Sequence, residues 1–357
     1  MYLDLILILE TKCDEWYNIR FNNNSQLIIV NYTFFSKCFK IIDFAAPSQN
    51  DIENFQIIVS HRPYPVTPIN HSMNAARDNP AIVIDNGSGF TKVGFAGGAA
   101  PQSTFQTAIG KKIRSSGKDS PLDDLNFVSG EISSAHSSTY TTHPPIKHGV
   151  VEDWDSMEQL WQRCFYEKLR CNPEDHYLLL SEPPLNPPEN REQTAEIMFE
   201  TFNVPAMNIS VQAALSLCSS WANEKVTHRE MTGIVVDSGF GATHIVPVVD
   251  GKVFSSCIKQ MNIGGRDITA YIQKLMRDRK EPIPHGMGVD VARSVKENFT
   301  YTCPNIEKEC ERYDSNPEKY SKVYESIHKK TGQIFSCNVQ HERFLAPEVL
   351  MTPKVCR

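Results

Sequence analysis

The sequence predicts an α/β fold of two domains. Strand-like apolar runs at 177–180, 233–236 and 244–249 alternate with helical patterns, which indicates layers of strands and helices. One helix is predicted over 189–202, where apolar or small residues recur at spacings of three and four. With 357 residues, 40% of them apolar, the chain is long enough to form two ordinary cores.

The composition argues against nucleic acid and against membrane insertion. A net charge of −6 gives no electrostatic reason to bind nucleic acid or an anionic membrane, so the partner should be protein or a small ligand. The apolar run at 3–9 is too short to span a bilayer and lacks the features of a signal peptide. The ten cysteines form no C-x-x-C pair and are expected to be reduced thiols.

Residues 1–75 are predicted to be an unassigned N-terminal segment with a linker. The segment contains strand-like runs at 26–30 and 55–59, but no motif that indicates a function. The proline-containing stretch 61–78 is the expected linker, so a domain boundary should fall near residue 75. We hypothesise that the natural protein begins at Met73 and that the block before it results from gene prediction or splicing.

A strand–turn–strand motif occurs twice, at 81–95 and at 233–247, with six identical positions. Each copy is an apolar strand that ends in an aspartate, Asp85 or Asp237, followed by a turn with two glycines and a second strand. The glycines are expected to adopt positive φ in a tight hairpin and to let backbone N–H groups approach an anion. This combination suits phosphate.

The side chains of the repeat extend this interpretation. Asp85 and Asp237 would repel phosphate directly, so their expected task is to hold a divalent cation or its waters beside the phosphates. Lys92 would neutralise phosphate charge, and the Ser88 hydroxyl would donate to it. A single D-x-G-x-G is a common hairpin turn, but two matching copies favour a clamp around one nucleotide–metal complex.

The hairpins resemble the two phosphate loops of the superfamily that contains actin, heat-shock chaperones and sugar kinases. The segment 196–217 is similar to actin itself, and the resemblance extends over about residues 80–353. The segments 146–158, 174–192, 257–279 and 301–314 are more similar to an actin-related branch of the family. The resemblance implies an actin-like (ribonuclease-H-like) two-domain ATPase fold. Its first domain would span 76–230, with a small outer subdomain at about 105–145, and its partial second domain would span 231–357.

The resemblance also assigns residues to the two phosphate loops. The first loop would contain Asp85, Gly87, Ser88, Gly89, Phe90 and Lys92, and the second would contain Asp237, Ser238, Gly239, Gly241, Ala242 and Thr243. The implied cofactor is ATP or ADP with Mg (or Ca), which Asp85 and Asp237 would hold through water.

Five further residues receive roles from the resemblance. Gln212 and His244 match the positions that orient the attacking water, and Gly265, Lys296 and Glu297 match the adenosine site. From the sequence alone, a buried helix residue is the commoner interpretation of Gln212, and a solvated helix face is favoured for 296–297. The Gly264–Asp267 stretch is equally compatible with a strand-to-helix turn that Asp267 caps.

Two departures from the family pattern limit these implications. Phe240 replaces an aspartate of the second loop, which implies weak ATPase activity at most. The chain reaches Arg357 only about two thirds through the family fold, so sheet faces should be left open and independent stability should be poor.

The implied function is that of a structural, nucleotide-binding subunit. It would belong to a complex that nucleates branched actin filaments, with filaments and the other subunits as partners. The implied location is the cytoplasmic cytoskeleton, in actin-rich cell projections. Three alternatives stay open: an ATPase or kinase of the superfamily, a conventional actin that polymerises by itself, and a non-functional truncated product.

Overall fold

The structure is a computed structural model that describes residues 5–9, 27–30, 79–112, 127–129, 140–220, 231–328 and 331–353. The predicted run at 55–59 and the whole of the predicted linker at 61–78 lie outside the described residues. Helices and strands alternate through the rest, which confirms the predicted α/β class.

The strands, in chain order, are β1 (Leu5–Leu9), β2 (Leu27–Val30), β3 (Ile82–Asn86), β4 (Phe90–Phe95), β5 (Ser103–Gln106), β6 (Ile109–Lys112), β7 (Phe127–Ser129), β8 (Tyr140–His143), β9 (Ile146–Lys147), β10 (Val150–Val151), β11 (Leu178–Glu182), β12 (Met207–Val211), β13 (Gly233–Ser238), β14 (Thr243–Val249), β15 (Lys252–Val253), β16 (Lys259–Met261), β17 (Lys322–Ile327) and β18 (Ile334–Val339). The α-helices are α1 (Trp154–Gln162), α2 (Pro188–Glu196), α3 (Gln212–Ser220), α4 (Gly265–Asp278), α5 (Gly288–Phe299), α6 (Ile306–Ser315), α7 (Pro317–Tyr320) and α8 (Glu342–Glu348).

The first sheet has the strand order β12–β11–β3–β4–β5. Strands β3, β4 and β5 are joined in antiparallel fashion, whereas β11 runs parallel to both β3 and β12. The β3–β4 pair is the first copy of the sequence repeat. The repeat therefore lies in the centre of its sheet, where its apolar strand residues are buried.

The second sheet has the order β15–β14–β13–β1–β2, and β16 also pairs with β14. Strands β13 and β14, the second copy of the repeat, are antiparallel, whereas β1 runs parallel to β13 and to β2. Strands β1 and β2 thus hold the places that β11 and β12 hold in the first sheet. The strand predicted at 26–30 is confirmed as β2.

Smaller sheets and helices complete the fold. Strand β6 pairs with β7 and β8, β9 pairs with β10, and β17 pairs with β18. The helix predicted over 189–202 is confirmed as α2, which continues as a π-helical segment, Ile197–Thr201. Helix α1 is capped by Asp153, which accepts a hydrogen bond from Ser156 N–H at 3.2 Å.

Three clusters of buried apolar residues support these elements. One packs the first sheet against α1 through residues such as Ile84, Trp161 and Phe165. A second packs α4 and α5 against β18 and α8. In the third, Ala213 and Leu217 of α3 contact β13 and β14, so the helix that follows the last strand of the first sheet covers the second sheet. Among the described residues, no helix is long and apolar enough to cross a membrane.

Candidate functional site

The two repeat copies form hairpins of the same construction. Gly87 N–H donates to Phe90 O at 3.1 Å, and Gly239 N–H donates to Ala242 O at 2.9 Å. Behind each turn a side-chain hydrogen bond joins the two strands. Asn86 Nδ2 donates to Thr91 Oγ1 at 3.3 Å, and the hydroxyls of Ser238 and Thr243 lie 2.9 Å apart. The repeat therefore encodes two rigid, equivalent tips.

The reason for the glycines differs from the prediction. Gly87, Gly89, Gly239 and Gly241 are not among the described glycines with positive φ, so the expectation of left-handed turn residues is wrong. Close approach explains Gly87, Gly89 and, less strictly, Gly241, whereas a Cβ at Gly239 would make only an ordinary contact of 3.5 Å with Ala242 O. A Cβ at Gly87 would lie 2.9 Å from Phe90 O, which is closer than real Cβ atoms come to backbone oxygens.

The two tips face each other across the junction of the sheets. A Cβ at Gly241 would lie 3.1 Å from Ser88 Oγ, and a Cβ at Gly89 would lie 2.6 Å from Phe240 Cγ. The residue between the two glycines of each hairpin thus packs on the second glycine of the other hairpin. A glycine is required at position 89 because a Cβ there would overlap the Phe240 side chain, and a Cβ at Gly241 would require Ser88 to move by a few tenths of an ångström.

His148 and Gly149 reinforce this junction, and the sequence analysis assigned them no role. His148 has positive φ of 49°. Its Nδ1 donates to Gly241 O at 2.9 Å, and Gly149 N–H donates to Ser88 Oγ at 2.9 Å. Gly149 marks a turn in the sequence, but no local signal connects this turn with the hairpins.

Asp85 lies buried behind the first hairpin, and its carboxylate contacts three side chains in the described part of the chain. Lys92 Nζ lies 3.3 Å from its Oδ2, and Gln212 Nε2 donates to its Oδ1 at 3.3 Å. The Ser181 hydroxyl also donates to Oδ1. Lys92 was expected to face phosphate, and its described ion pair is with Asp85. Ser181 was not predicted, and nothing but its place in an apolar strand marks it in the sequence.

The second hairpin places Asp237 opposite His244 on the neighbouring strand, as the first places Asp85 opposite Lys92. His244 is buried, and its desolvation lowers the pKa of the imidazole, while a hydrogen bond with Gln260 acts in the opposite direction. Each aspartate therefore has a nitrogen-containing side chain, Lys92 or His244, as its cross-strand neighbour.

The N-terminus of α4 holds the second tip from behind. Gly265 N–H donates to Gly239 O at 2.9 Å, and Arg266 N–H donates to Phe240 O at 2.9 Å. Asp267 accepts a hydrogen bond from Gly264 N–H at 2.9 Å, so it does cap the turn as the alternative interpretation predicted. Asp267 can therefore cap the turn while the Gly264–Asp267 stretch also lies beside the second hairpin.

Lys296 is joined to this corner, and Glu297 is not. Lys296 Nζ donates to Gly265 O at 3.2 Å and lies 6.0 Å from the centre of the Phe240 ring. Among the described residues, no hydrogen bond joins Glu297 to either hairpin. Lys296 and Gly265 therefore lie together, as expected for residues of one site.

The donors present fit a nucleotide with a hydrated cation. The glycine turns bring backbone close together without intervening side chains, and Lys92 and Lys296 supply positive charge beside them. Asp85 and Asp237 supply the carboxylates that a divalent cation or its waters prefer. Within the described part of the chain, no three His, Cys, Asp or Glu residues cluster as a direct metal site.

Comparisons with known proteins agree on one family. The family model described as "Actin" matches residues 76–343. The chain is 47% identical over 294 residues to "Actin-related protein 3" of Caenorhabditis elegans, which covers 79% of this chain and 69% of that protein. It is 47% identical over 289 residues to the protein of that name from Dictyostelium discoideum, with 79% and 69% covered. For the Acanthamoeba castellanii protein, identity is 46% over 285 residues, with 76% and 66% covered.

Proposed function

The chain belongs to the actin family, and on that premise we propose that it is an ATP-binding, actin-related subunit of a complex that nucleates branched actin filaments. The complex would be the actin-related protein 2/3 complex, and the partners would be its other subunits and actin filaments. The chain would act in the cytoplasmic cytoskeleton, in actin-rich cell projections. Support comes from the 46–47% identity to proteins named actin-related protein 3.

The observation that carries the nucleotide-binding part is the contact between the hairpin tips. Ser88 lies against Gly241, although the two hairpins belong to different sheets. A ligand bound there would touch both domains at once. Because such a ligand has different contacts in open and closed arrangements, it would shift the balance between them. ATP would therefore act as a conformational ligand.

In this proposal each residue set has one task. Backbone N–H groups of Gly87–Phe90 and Gly239–Thr243, with Ser88 and Ser238, would bind phosphate, and Lys92 would offset its charge. Asp85 and Asp237 would hold the waters of Mg or Ca, and the cation would neutralise the phosphates. Gly265, Lys296 and Glu297 would contact the adenosine.

Hydrolysis is proposed to be weak. Gln212 and His244 would orient a water molecule, and Gln212 donates to Asp85 at 3.3 Å. The tip of the second hairpin, however, carries the apolar ring of Phe240 where a carboxylate would help organise the water shell of the cation. Loss of such a group commonly lowers metal affinity or activity by about 10- to 100-fold.

A binding assay with a fluorescent ATP analogue and magnesium tests the nucleotide site. We expect Asp85→Asn and Asp237→Asn each to weaken binding by at least about tenfold, because each removes a charge that would hold the hydrated cation. The matched control is Asp278→Asn, which changes an exposed aspartate at the end of α4. Unchanged affinity in both site variants, with intact thermal transitions, would contradict the clamp.

Reconstitution tests the role in a complex. The full chain would be combined with the other subunits of an actin-related protein 2/3 complex that lacks its actin-related protein 3 subunit. We expect incorporation and ATP-dependent branch formation, viewed by fluorescence microscopy. Pelleting of the chain alone as filaments would instead favour conventional actin, and failure to incorporate would refute the subunit role.

A further inference from the structure

Phe240 occupies the tip of the second hairpin, at the position that Ser88 occupies in the first. The internal repeat aligns the two residues, since each follows the first glycine of its turn. Each also packs on the second glycine of the opposite hairpin. The contact made by Phe240 is the larger of the two, because an aromatic ring replaces a hydroxymethyl group.

The backbone beneath the ring is fixed. Arg266 N–H donates to Phe240 O, and Gly265 N–H donates to Gly239 O, both at 2.9 Å. A Cβ at Gly264 would lie only 2.5 Å from Gly239 O, so the turn sits tightly on the start of α4. The ring therefore reaches the first domain from a rigid base.

The surface that the ring meets is fixed as well. Gly89 is buried, and its carbonyl accepts a hydrogen bond from Thr107 N–H at 3.0 Å. The three atoms nearest to a Cβ built at Gly89 all belong to the Phe240 side chain, at 2.6 to 3.0 Å. Gly89 does not have positive φ. The Phe240 ring, rather than backbone strain, therefore excludes a larger residue at position 89.

We propose that Phe240 is a positioning residue that holds the two hairpins at contact distance without a bound ligand. The Phe240 ring contacts the first hairpin at the place where a ligand that touches both hairpins would also bind. This contact is apolar and needs no phosphate. The proposal rests on the proposed function only for the identity of that ligand. The contact itself joins Phe240 and Gly89 and can be tested with no nucleotide present.

Amide hydrogen exchange of the full chain, without nucleotide, provides the test. We expect Phe240→Ser to accelerate exchange in residues 85–92 by at least about fivefold, although the change lies in the other hairpin. Phe254→Ser is the matched control, because Phe254 is 48% exposed and lies in the same domain away from the tips. Phe240→Leu, which keeps an apolar side chain, should stay close to the unchanged protein.

A double-mutant cycle separates the contact from general destabilisation. Gly89→Ala should accelerate exchange in residues 237–243, because its Cβ meets the ring. In a Phe240→Ala background the same change should have little further effect, because the ring is gone. Equal effects of Gly89→Ala in both backgrounds would overturn the proposal, as would unchanged exchange of 85–92 in Phe240→Ser.

Nucleotide titration distinguishes this proposal from the proposed function. If fluorescent ATP binds, Phe240→Ser should raise its apparent Kd by about tenfold, because the ligand must then bring the hairpins together. A lower apparent Kd would show that the ring obstructs the site and would overturn the positioning role. Absence of ATP binding in the unchanged protein would refute the proposed function, while the exchange experiment would still decide the role of Phe240.

Discussion

Gln212 and Asp85 are 127 residues apart in the sequence, yet Gln212 Nε2 donates to Asp85 Oδ1 at 3.3 Å. Gln212 is the first residue of α3, whose Ala213 and Leu217 pack on the second sheet. The hydrogen bond therefore ties the first hairpin to the helix that joins the two domains. A substitution of Gln212 should therefore affect both the first hairpin and the packing of α3 on the second sheet.

Gln212→Glu should make stability depend on pH. The new carboxyl would lie beside Asp85, and repulsion between like charges raises its pKa in the folded state above the unfolded value of about 4.3. Because the folded state then binds the proton more tightly than the unfolded state, protonation adds to the free energy of unfolding at low pH. This contribution is lost as pH rises through the folded pKa. We expect the Tm of the variant, measured relative to that of the unchanged protein at the same pH, to fall between pH 4.5 and 7.5.

The control for this prediction is Gln212→Ala. It removes the same hydrogen bond, which is worth about 0.5–1.5 kcal/mol, without adding a carboxyl. The Tm difference between the glutamate and alanine variants should widen as pH rises. A constant difference over this range would mean that residue 212 does not face Asp85.

Arg279→Ala should strongly destabilise the cluster around α4, α5 and α8. Arg279 Nε donates to Glu342 Oε1 at 2.8 Å, and Glu342 is fully buried at 0% exposure. Removal of the arginine leaves a buried, uncompensated carboxylate, which typically costs about 3–5 kcal/mol. The change can be measured as the free energy of opening of α4 amides by hydrogen exchange in increasing urea.

The matched control is Arg312→Ala. Arg312 also pairs with a glutamate, Glu309, at 3.0 Å, but its side chain is 65% exposed. Glu309 is itself buried, but it keeps the hydrogen bond from the Tyr301 hydroxyl at 2.8 Å, and a pair whose cation is solvent-exposed is worth about 0–1 kcal/mol. The double variant Arg279→Met/Glu342→Leu should recover part of the lost stability, because it removes the fully buried carboxylate of Glu342, whereas Glu281, whose side chain is 10% exposed, still loses its pair with Arg279. Equal costs for the two arginine variants would refute the assignment of Arg279 and Glu342 as a buried ion pair.

The repeat hairpins and the helix at 189–202 could be predicted from the sequence, but the contacts between elements could not. The two hairpins depend on short-range patterns of apolar, glycine and polar residues, so the repeat predicts them. The Ser181–Asp85 hydrogen bond joins residues 96 positions apart, and the packing of Phe240 on Gly89 joins separate sheets. Such contacts depend on how the sheets are placed, which no local pattern specifies. The domain boundaries and the assigned site roles stay predictions.

Leu7→Pro tests the place of the N-terminal strands. Leu7 pairs with Val236 of β13 on one side, and β1 pairs with β2 on its other side. Proline removes an N–H donor from a strand that has neighbours on both edges, which should cost on the order of 1–3 kcal/mol. We expect a lower Tm and faster amide exchange in residues 233–238. Leu7→Val, which keeps the N–H group, is the control.

Unchanged exchange of 233–238 in Leu7→Pro would have a clear meaning. It would show that β1 does not support β13 in the folded chain. Accelerated exchange would instead show that this segment supports β13, the strand that carries Asp237. The outcome therefore decides whether the second hairpin depends on the N-terminal strands.

The buried histidine of the second hairpin should make the fold sensitive to mild acid. Burial lowers the pKa of His244, so the folded state binds its proton less readily than the unfolded state, in which the pKa is about 6.5. The neutral imidazole therefore contributes fully to the free energy of unfolding above pH 6.5. This contribution is lost as pH falls towards the lowered folded pKa, by at most about 1.4 kcal/mol per pH unit for one proton.

His244→Gln should reduce this loss without abolishing it. Burial also lowers the pKa of His341, beside α8, and this second histidine contributes in the same direction. We therefore expect the fall in Tm between pH 7.5 and 5.5 to be smaller in each single variant and smallest in the double variant. His285→Gln changes an exposed histidine and is the control. If His244→Gln and His285→Gln give the same pH profile, protonation of His244 does not oppose folding, because its burial would then carry no energetic cost for the charged form.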